Sequence, residues 1–272
     1  MTNSNLPPDR NAGYPNKYTP DLLFPIARIE SREVLGIGDD IPFRGVDVWN
    51  AWELTWLGAG DLPQVATVEI RVPADTPNLI ESKSLKLYLN SYSMTRFADV
   101  ATVARTLATD LSACTGGVVD IRVDRLGDSE DRKLSVLPGL SLDSLAVQCK
   151  SWQVDANILQ ADTSIIVTEA LHTHLLRSLC PVTAQPDIGS LALHYSGPKI
   201  DHASLLRYVI SYREHGDFHE ACVERMFVDI QARCKPQKLS IYAHYQRRGG
   251  IDINPFRSNF EDCPDNPRLW RQ

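Results

Sequence analysis

An internal repeat is the feature that most limits how this chain can fold. The segment LKLYLNSY, residues 85–92, aligns with LLRYVISY, residues 205–212, at an offset of 120 with four identities. Each copy lies in the first of two predicted helices, with two strands predicted before the helices and two after them. Such repeated units stack to bury apolar surface that one unit would expose. We therefore predict tandem ββααββ modules over residues 46–150 and 151–272, preceded by an irregular arm over residues 1–45.

Apolar spacing supports the order of the elements. Residues 46–57 carry three tryptophans in a largely alternating pattern, which predicts a buried strand, and QVATVEIRV at 64–72 alternates in the same way. Helical spacing gives the first repeat a core stripe of Leu85, Tyr88, Leu89 and Tyr92. A further strand is predicted around a turn within residues 134–147. These patterns indicate an α+β fold with antiparallel sheets.

Composition excludes several classes of protein. The 272 residues are 43% hydrophobic and carry a formal net charge of −6, which is typical of a globular protein and unfavourable for binding polymeric nucleic acid. No segment has the roughly 18 consecutive apolar residues of a membrane span, and the first twenty residues lack the apolar core of a signal peptide. Six scattered cysteines without a CxxC pair suit reduced thiols. We expect a soluble cytoplasmic protein.

Lysines occupy an unusual place in the segment LIESKSLKLYLNSY, residues 79–92. Ser82 or Ser84 is predicted to cap the helix, so that Lys83 and Lys86 lie in or near its first turn. Backbone N–H groups already present partial positive charge at a helix N-terminus, which disfavours a cation there. The pattern therefore predicts a nearby anion.

Two clusters in the second half carry reactive side chains. Cys180 precedes Asp187 by seven residues in a loop punctuated by prolines, where a thiolate nucleophile and an acid could act together, or where a buried thiol and a turn residue simply serve the structure. Glu220 follows Asp217 at the spacing of a capping box, and His219 precedes it. Alternatively, the Glu220 carboxylate accepts paired N–H bonds from a heterocycle.

A third cluster, YQRRGGIDINPFRSN at 245–259, combines cations with glycines. Arg248 and Gly249 could contact a phosphate closely, or could belong to a solvated hairpin turn. The chain has no GxGxxG after a strand, so a Rossmann nucleotide site is not indicated. His172 and His174 would point apart on a helix, and we expect no metal site.

Together these segments resemble the NADPH-dependent 7-cyano-7-deazaguanine reductases, nitrile reductases of queuosine biosynthesis with the tunnelling fold. The resemblance is to the two-module form of the family. It extends from about residue 40 and includes the segments ESKSLKLYLNSY, CPVTAQPD, FHEACVER and RRGGIDINPFRSN. Two positions depart from the family pattern, since Ile188 stands where an aromatic residue is common and Phe256 where tryptophan is usual.

The resemblance implies specific roles. Cys180 would form a covalent thioimide with the nitrile, and Asp187 would protonate its nitrogen. The residues implied in binding the deazapurine substrate are Ile80, Glu81, Ser82, His219 and Glu220. Those implied in binding NADPH are Ser82, Lys83, Arg248 and Gly249. The family further implies a homodimer, helices on one face of each sheet, no metal and no direct contact with tRNA.

Two other functions remain open at this point. A zinc-dependent cyclohydrolase of the same fold would act on a pterin or purine nucleotide and would need a metal for activity. A deazapurine-binding module without catalysis would bind the nitrile but leave NADPH unoxidised. The presence of both Cys180 and Asp187 favours the reductase over the binding module.

Overall fold

A computed structural model describes residues 13–38, 40–125, 127 and 133–272 of the chain. Along the chain the described residues form β1 (Pro25–Ala27), α1 (Ile29–Val34), β2 (Arg44–Leu57), β3 (Pro63–Pro73), β4 (Asn78–Ile80), α2 (Ser82–Asn90), α3 (Val100–Thr115), β5 (Asp120–Arg125), β6 (Leu140–Ser141), β7 (Ala161–Leu179), β8 (Pro186–Ile200), α4 (His202–Ser211), α5 (His219–Cys234), β9 (Lys238–Tyr245) and β10 (Ile251–Ser258). No helix among them has the length and apolar character needed to cross a membrane.

Contacts divide the chain into two compact units. Of the described residues, the first contains 13–30, 48–125, 127 and 248–252, and the second contains 31–38, 40–47, 133–247 and 253–272. The module boundaries expected from the sequence, after residues 45 and 150, stay a prediction. Part of the arm expected to be irregular is regular, because β1 and α1 both lie before residue 45.

The first unit contains strands in the order β5, β3, β2 and a separate pair of short strands. Strand β3 is antiparallel to β5, with Ile70 opposite Ile121. The short strand β1 is antiparallel to β4, with Pro25 opposite Ile80. This pairing fastens the arm to the start of α2, because the Glu81 N–H also donates to the Phe24 carbonyl over 2.9 Å.

The second unit contains strands in the order β10, β9, β8, β7, β6. Strands β7 and β8 form a long antiparallel hairpin, and β9 is antiparallel to both β8 and β10. The predicted α+β class with antiparallel sheets is therefore confirmed. The strand expected within residues 134–147 is only the two-residue β6, and it is parallel to β7 in the second unit.

The repeat is visible in hydrogen bonds that match at the predicted offset of 120, except that Asp110 and Asp229 are 119 residues apart. The Tyr88 and Tyr92 hydroxyls lie 2.6 Å apart, and the Tyr88 hydroxyl donates to Asp110 over 2.6 Å. The Ser91 hydroxyl donates to the Tyr88 carbonyl over 2.6 Å. In the second unit the same bonds are made by Tyr208, Tyr212, Asp229 and Ser211. The two units thus share side-chain networks as well as element order.

The pairing of strands just before the first helix is also the same in the two units. Pro25 opposite Ile80 in the first unit corresponds to Ala161 opposite Ile200 in the second. The bond from the Glu81 N–H to Phe24 recurs between the Asp201 N–H and the Gln160 carbonyl, also at 2.9 Å. The short strands β1 and β4 are therefore the counterparts of the ends of β7 and β8.

The predicted core stripes are buried. The three tryptophans of β2 are each at most 7% exposed, and Leu85, Tyr88, Leu89 and Tyr92 are all buried. Val223, Phe227 and Ile230 line the buried side of α5. In α3 the buried positions are Val103, Leu107, Leu111 and Thr115, whereas Val100 and Ala104 are half-buried.

Candidate functional site

Cys180 is the first residue after β7 and begins a tight loop in the second unit. Its N–H donates to the Gln185 carbonyl and its carbonyl accepts from the Ala184 N–H, both over 2.9 Å. Ala184 has a φ of 56°, in the left-handed region that a side chain rarely occupies. The Cys180 thiol is half-buried. The loop therefore holds a partly accessible thiol on a fixed backbone.

Asp187 lies in β8, one residue into the strand that returns from this loop. Asp187 is opposite Ser178 in the β7–β8 hairpin, and Ser178 precedes Cys180 by two residues. The Asp187 residue is 3% exposed. Its Oδ2 lies 3.7 Å from Nε2 of His219. An almost buried carboxyl is thus placed beside the thiol-bearing loop and an imidazole. Such a group can give a proton to a basic atom formed there.

Backbone bonds bring the start of α5 to the same strand end. The Leu179 N–H donates to the His215 carbonyl over 2.8 Å, and the Asp217 N–H donates to the Leu179 carbonyl over 3.2 Å. Leu179 directly precedes Cys180. The segment before α5 is therefore joined to Leu179, which places the first turn of α5 near Cys180.

His219 and Glu220 are the first two residues of α5, and both are largely withdrawn from solvent. Glu220 is 2% exposed, and the His219 ring packs edge-on against Tyr245 with centroids 4.0 Å apart. The capping box considered for Glu220 is not formed, because the N-cap residue is Phe218 and no side chain caps this helix. Asp217 instead accepts a bond from the Phe218 N–H over 2.8 Å.

Three other cysteines are poor candidates for a nucleophile. Burial raises the pKa of the Cys114 and Cys234 thiols to about 11. Burial, followed by the Asp217 charge, raises the pKa of the Cys222 thiol well above its usual value. A thiol attacks as its thiolate, so these shifts disfavour reaction at neutral pH. Cys180 differs from them by its place at a strand end beside Asp187.

In the first unit, Ile80 ends β4 and Glu81 begins the predicted binding segment. The Glu81 carboxylate accepts bonds from the Lys83 N–H over 3.0 Å and from the Ser84 N–H over 2.7 Å. Glu81 is therefore the N-cap of α2, and the prediction of Ser82 or Ser84 as the cap was wrong. Ser82 is half-buried and Lys83 is exposed. The anion nearest the helix start is supplied by the chain itself.

The RRGG segment forms a tight turn in which Gly249 and Gly250 have φ values of 63° and 85°. The Arg248 N–H donates to the Ile251 carbonyl across this turn over 2.8 Å. A Cβ placed on Gly249 would lie 3.1 Å from Cδ and Cε of Lys86. The turn and the first turns of α2 are thus in contact within the first unit. Lys86 is not among the predicted cofactor-binding residues, although its spacing of three from Lys83 places both lysines on one side of the helix.

The histidines considered for a metal lie on β7 and not on a helix. His172 and His174 therefore share a face of the strand, and their ring centroids are 5.5 Å apart. His174 Nδ1 lies 2.8 Å from the Ser190 hydroxyl, and His172 Nδ1 lies 3.0 Å from the Pro138 carbonyl. Within residues 13–38, 40–125, 127 and 133–272, no three His, Cys, Asp or Glu side chains are grouped so that they could hold a metal ion.

Comparison with known proteins gives two family matches. Residues 14–123 match the family described as "Nitrile reductase, 7-cyano-7-deazaguanine-reductase N-term", and residues 186–263 match the family described as "QueF-like protein". An NADPH-dependent 7-cyano-7-deazaguanine reductase of Azoarcus sp. (strain BH72) is 51% identical over 94% of this chain and 91% of that protein. The chain belongs to the 7-cyano-7-deazaguanine reductase family.

A second relative extends the match over the whole chain. The NADPH-dependent 7-cyano-7-deazaguanine reductase of Paraburkholderia xenovorans (strain LB400) is 49% identical over 100% of both chains. The resemblance inferred from ESKSLKLYLNSY and CPVTAQPD is therefore confirmed. Ile80, Glu81, Ser82 and Lys83 lie within the first family match, and Asp187 lies within the second.

Proposed function

We propose that this protein reduces the nitrile 7-cyano-7-deazaguanine to 7-aminomethyl-7-deazaguanine in queuosine biosynthesis, with two molecules of NADPH as reductant. The observation that carries the proposal is the placement of Cys180, Asp187 and His219 at one end of the β7–β8 hairpin. That placement occurs in a chain half identical, over nearly its whole length, to proteins named for this activity. Two hydrides and two protons convert one nitrile into one amine.

Cys180 acts as the nucleophile in this proposal. Its thiolate adds to the nitrile carbon, and one carbon–nitrogen π bond gives its electron pair to nitrogen. The carboxyl group of Asp187 donates a proton to that nitrogen, which leaves a neutral thioimide bound to sulfur. Expulsion of the sulfur after the first reduction regenerates the thiolate. Covalent attachment replaces one difficult step, hydride transfer to the nitrile, with two easier ones, thiolate addition and hydride transfer to the thioimide.

The substrate ring is recognised by carboxylates in this proposal. Glu220 accepts paired N–H bonds from the amidine-like edge of the deazaguanine, and His219 adds a further polar contact. A carboxylate only 2% exposed gains more from such bonds than an exposed one, because water does not compete there. Ile80, Glu81 and Ser82 are proposed as the remaining substrate contacts. The capping bonds of Glu81 to the start of α2 would orient its carboxylate.

Ser82, Lys83, Arg248 and Gly249 are proposed to hold NADPH, which when bound supplies the hydrides. The first unit fits this role, since Gly249 leaves open the space above Lys86 that a Cβ would fill. Backbone at positive φ lets a phosphate approach closely, and the exposed Lys83 adds a cation to the same region. Arg248 can pair with phosphate oxygens through its planar guanidinium.

We further propose that the enzyme is a cytoplasmic homodimer that acts on the free base without touching tRNA. The net charge of −6 supports the last point, because an acidic protein lacks the many cations that neutralise a polynucleotide. The small heterocyclic substrate supports it as well. Light scattering coupled to size-exclusion chromatography would measure the oligomeric state.

Purified protein mixed with 7-cyano-7-deazaguanine tests the reaction directly. We expect two NADPH to be oxidised for each amine formed, as followed by absorbance at the nicotinamide band and by mass spectrometry of the product. Metal chelation should leave the rate unchanged. NADPH left unoxidised in the presence of the nitrile would contradict the proposal and would favour a binding protein.

A further inference from the structure

Glu224 belongs to a buried network of two arginines and two carboxylates in the second unit. Arg32 binds Glu224 through two bonds, Nε to Oε2 over 2.9 Å and Nη2 to Oε1 over 2.7 Å. Arg257 donates to Oε1 of Glu224 over 2.8 Å and to Oδ1 of Asp47 over 2.7 Å. The side chains of the four residues are at most 7% exposed. Their formal charges cancel within the network.

This network contacts α5 at Glu224, about one turn after the first residues of the helix. Glu224 follows Glu220 by four residues, so the two carboxylates lie on the same side of α5. Arg32 of α1 and Arg257 of β10 bind this position of the helix directly, and Asp47 of β2 in turn holds Arg257. The ring of Phe43 lies beneath both guanidiniums, at 5.7 and 5.5 Å, and packs against Phe227 of the same helix.

The start of α5 lacks the device that orders the other long helices. The N-cap residues of α2, α3 and α4 are Glu81, Asp99 and Asp201, whose carboxylates accept backbone N–H bonds. The N-cap of α5 is Phe218, whose side chain makes no such bond. Helix ends without a cap fray more readily. The contacts at Glu224 therefore have a larger share in fixing the first turn of α5 than they would in a capped helix.

Stability alone is a weak reason for such a network. Two desolvated ion pairs lose much of their attraction to the cost of removing charge from water, and apolar side chains of similar volume often serve stability as well or better. A network of directional bonds does fix geometry, because each guanidinium admits few orientations. The repeat gives the same indication. Helices α3 and α5 correspond at an offset of 119, since their N-caps are Asp99 and Phe218, so α3 has Ala101 in place of Glu220 and Arg105 in place of Glu224.

We infer that Glu224, held by Arg32 and Arg257, is a positioning residue that sets the first turn of α5 so that Glu220 receives the substrate ring. The inference rests on the proposed function of Glu220. Displacement of a binding group by about 1 Å can cost roughly a hundredfold in rate. A shift of the α5 first turn would therefore weaken nitrile binding without touching Cys180 or the NADPH segment.

The test measures nitrile affinity by calorimetry in the Cys180→Ala background, where no covalent step occurs. Glu224→Gln removes the charge that both arginines bind, and Arg32→Lys keeps the charge of the network but loses the two-point contact. Asp229→Asn is the matched control, because Asp229 lies farther along the same helix and accepts a bond from Tyr208 over 2.6 Å. Each substitution is combined with Glu220→Ala, and circular dichroism verifies folding.

We expect Glu224→Gln and Arg32→Lys to raise the nitrile Kd by about tenfold or more. Asp229→Asn should leave it within about twofold of the parent value. In the Glu220→Ala background neither network variant should weaken binding further, because the anchor it positions is gone. The KM for NADPH, measured with Cys180 present, should not change. If Glu224→Gln does not fold, Arg32→Lys decides the same comparison.

Two results would overturn the inference. One is a nitrile Kd within about twofold of the parent in the network variants that fold. The other is an equal loss of affinity with and without Glu220, which would show a general structural effect. If the unsubstituted enzyme neither binds nor reduces the nitrile, the proposed function fails and this inference fails with it.

Discussion

Lys83 stands at a position where a lone lysine is unfavourable, in the first turn of α2. The structure places the Glu81 carboxylate at the same helix end, 3.0 Å from the Lys83 N–H, so the partial positive charge there is already compensated. The anion expected from the sequence is therefore present in the chain. The exposed ammonium of Lys83 is then available to a cofactor phosphate in our proposal, together with Arg248.

Replacement of this lysine tests its proposed role. Lys83→Ala should raise the KM for NADPH by about tenfold while kcat and the melting temperature change little, because an exposed cation adds mainly to ligand attraction. Initial rates at several salt concentrations would measure the effect, and the salt dependence of KM should become weaker. Arg105→Ala is the control, since Arg105 is an exposed cation of the same unit that bonds only to Thr102 in the described contacts. An unchanged KM would refute the assignment.

Helices α2 and α4 are matched elements with different proposed tasks. Both begin with a carboxylate cap whose side chain accepts a bond of 2.7 Å from a serine N–H three residues later, Ser84 or Ser204. In both, that serine hydroxyl returns a bond to the cap residue's carbonyl. Only the cap of α2, Glu81, is a proposed substrate contact. Comparison of Glu81 with Asp201 therefore distinguishes the effect of helix capping from the effect of substrate binding.

Alanine at each cap makes this separation measurable. Glu81→Ala and Asp201→Ala should each lower the free energy of unfolding by about 1 kcal/mol, the usual contribution of a helix cap. Only Glu81→Ala should also raise the nitrile KM. Urea denaturation and steady-state kinetics on both variants provide the data. Equal changes in KM would remove Glu81 from the substrate site and leave it a cap alone.

The spacing of apolar residues along the chain predicted those strands and helices whose position is set by contacts close in sequence. Strand β2 and helix α2 follow from the spacing of apolar residues such as Trp56 and Tyr88, which are buried. The structure of residues 134–147 could not be predicted from apolar spacing, because β6 pairs with β7, which is distant in sequence. Likewise, Asp217 and Glu220 have the spacing of a capping box, but backbone bonds from Leu179 to residues 215 and 217 set the helix start.

At the scale of the whole molecule, a duplicated fold has diverged in its chemistry. Both units keep the paired tyrosines and the capped first helix, so the fold is maintained by shared contacts. The nucleophile candidate Cys180 occurs only in the second unit, and the ESKS segment only in the first. The repeat could be predicted from sequence because it conserves spacing. The network around Glu224 could not, because its members are scattered over more than 200 residues.

Stability of the fold should depend on pH through His244, a fully buried residue of β9. Burial, together with the smaller effect of the Arg271 charge, lowers the pKa of this histidine to about 3. An unfolded histidine has a pKa of about 6.5, so between these values the unfolded chain binds more protons than the folded one. Stability from neutral His244 is therefore complete above about pH 6.5 and declines as the pH falls toward 3.

A charge-neutral replacement isolates this effect. The stability advantage of the parent over His244→Gln should shrink by roughly 2–3 kcal/mol between about pH 7.5 and 4.5, because only the parent loses stability through this proton. Denaturant titrations across that range measure it. His194→Gln, at a largely exposed histidine, serves as the control. If the free energy of unfolding changed with pH in the same way in the parent and in His244→Gln, protonation of His244 would be excluded as the cause.

The proposed covalent bond between Cys180 and the nitrile carbon can be detected by intact-protein mass spectrometry. Protein incubated with 7-cyano-7-deazaguanine in the absence of NADPH should gain the full mass of one nitrile molecule, since addition releases nothing. Peptide mapping should place the added mass on Cys180, and later addition of NADPH should release the amine. Cys180→Ala should gain no mass and oxidise no NADPH. A Cys180→Ala protein that still reduces the nitrile would contradict the account.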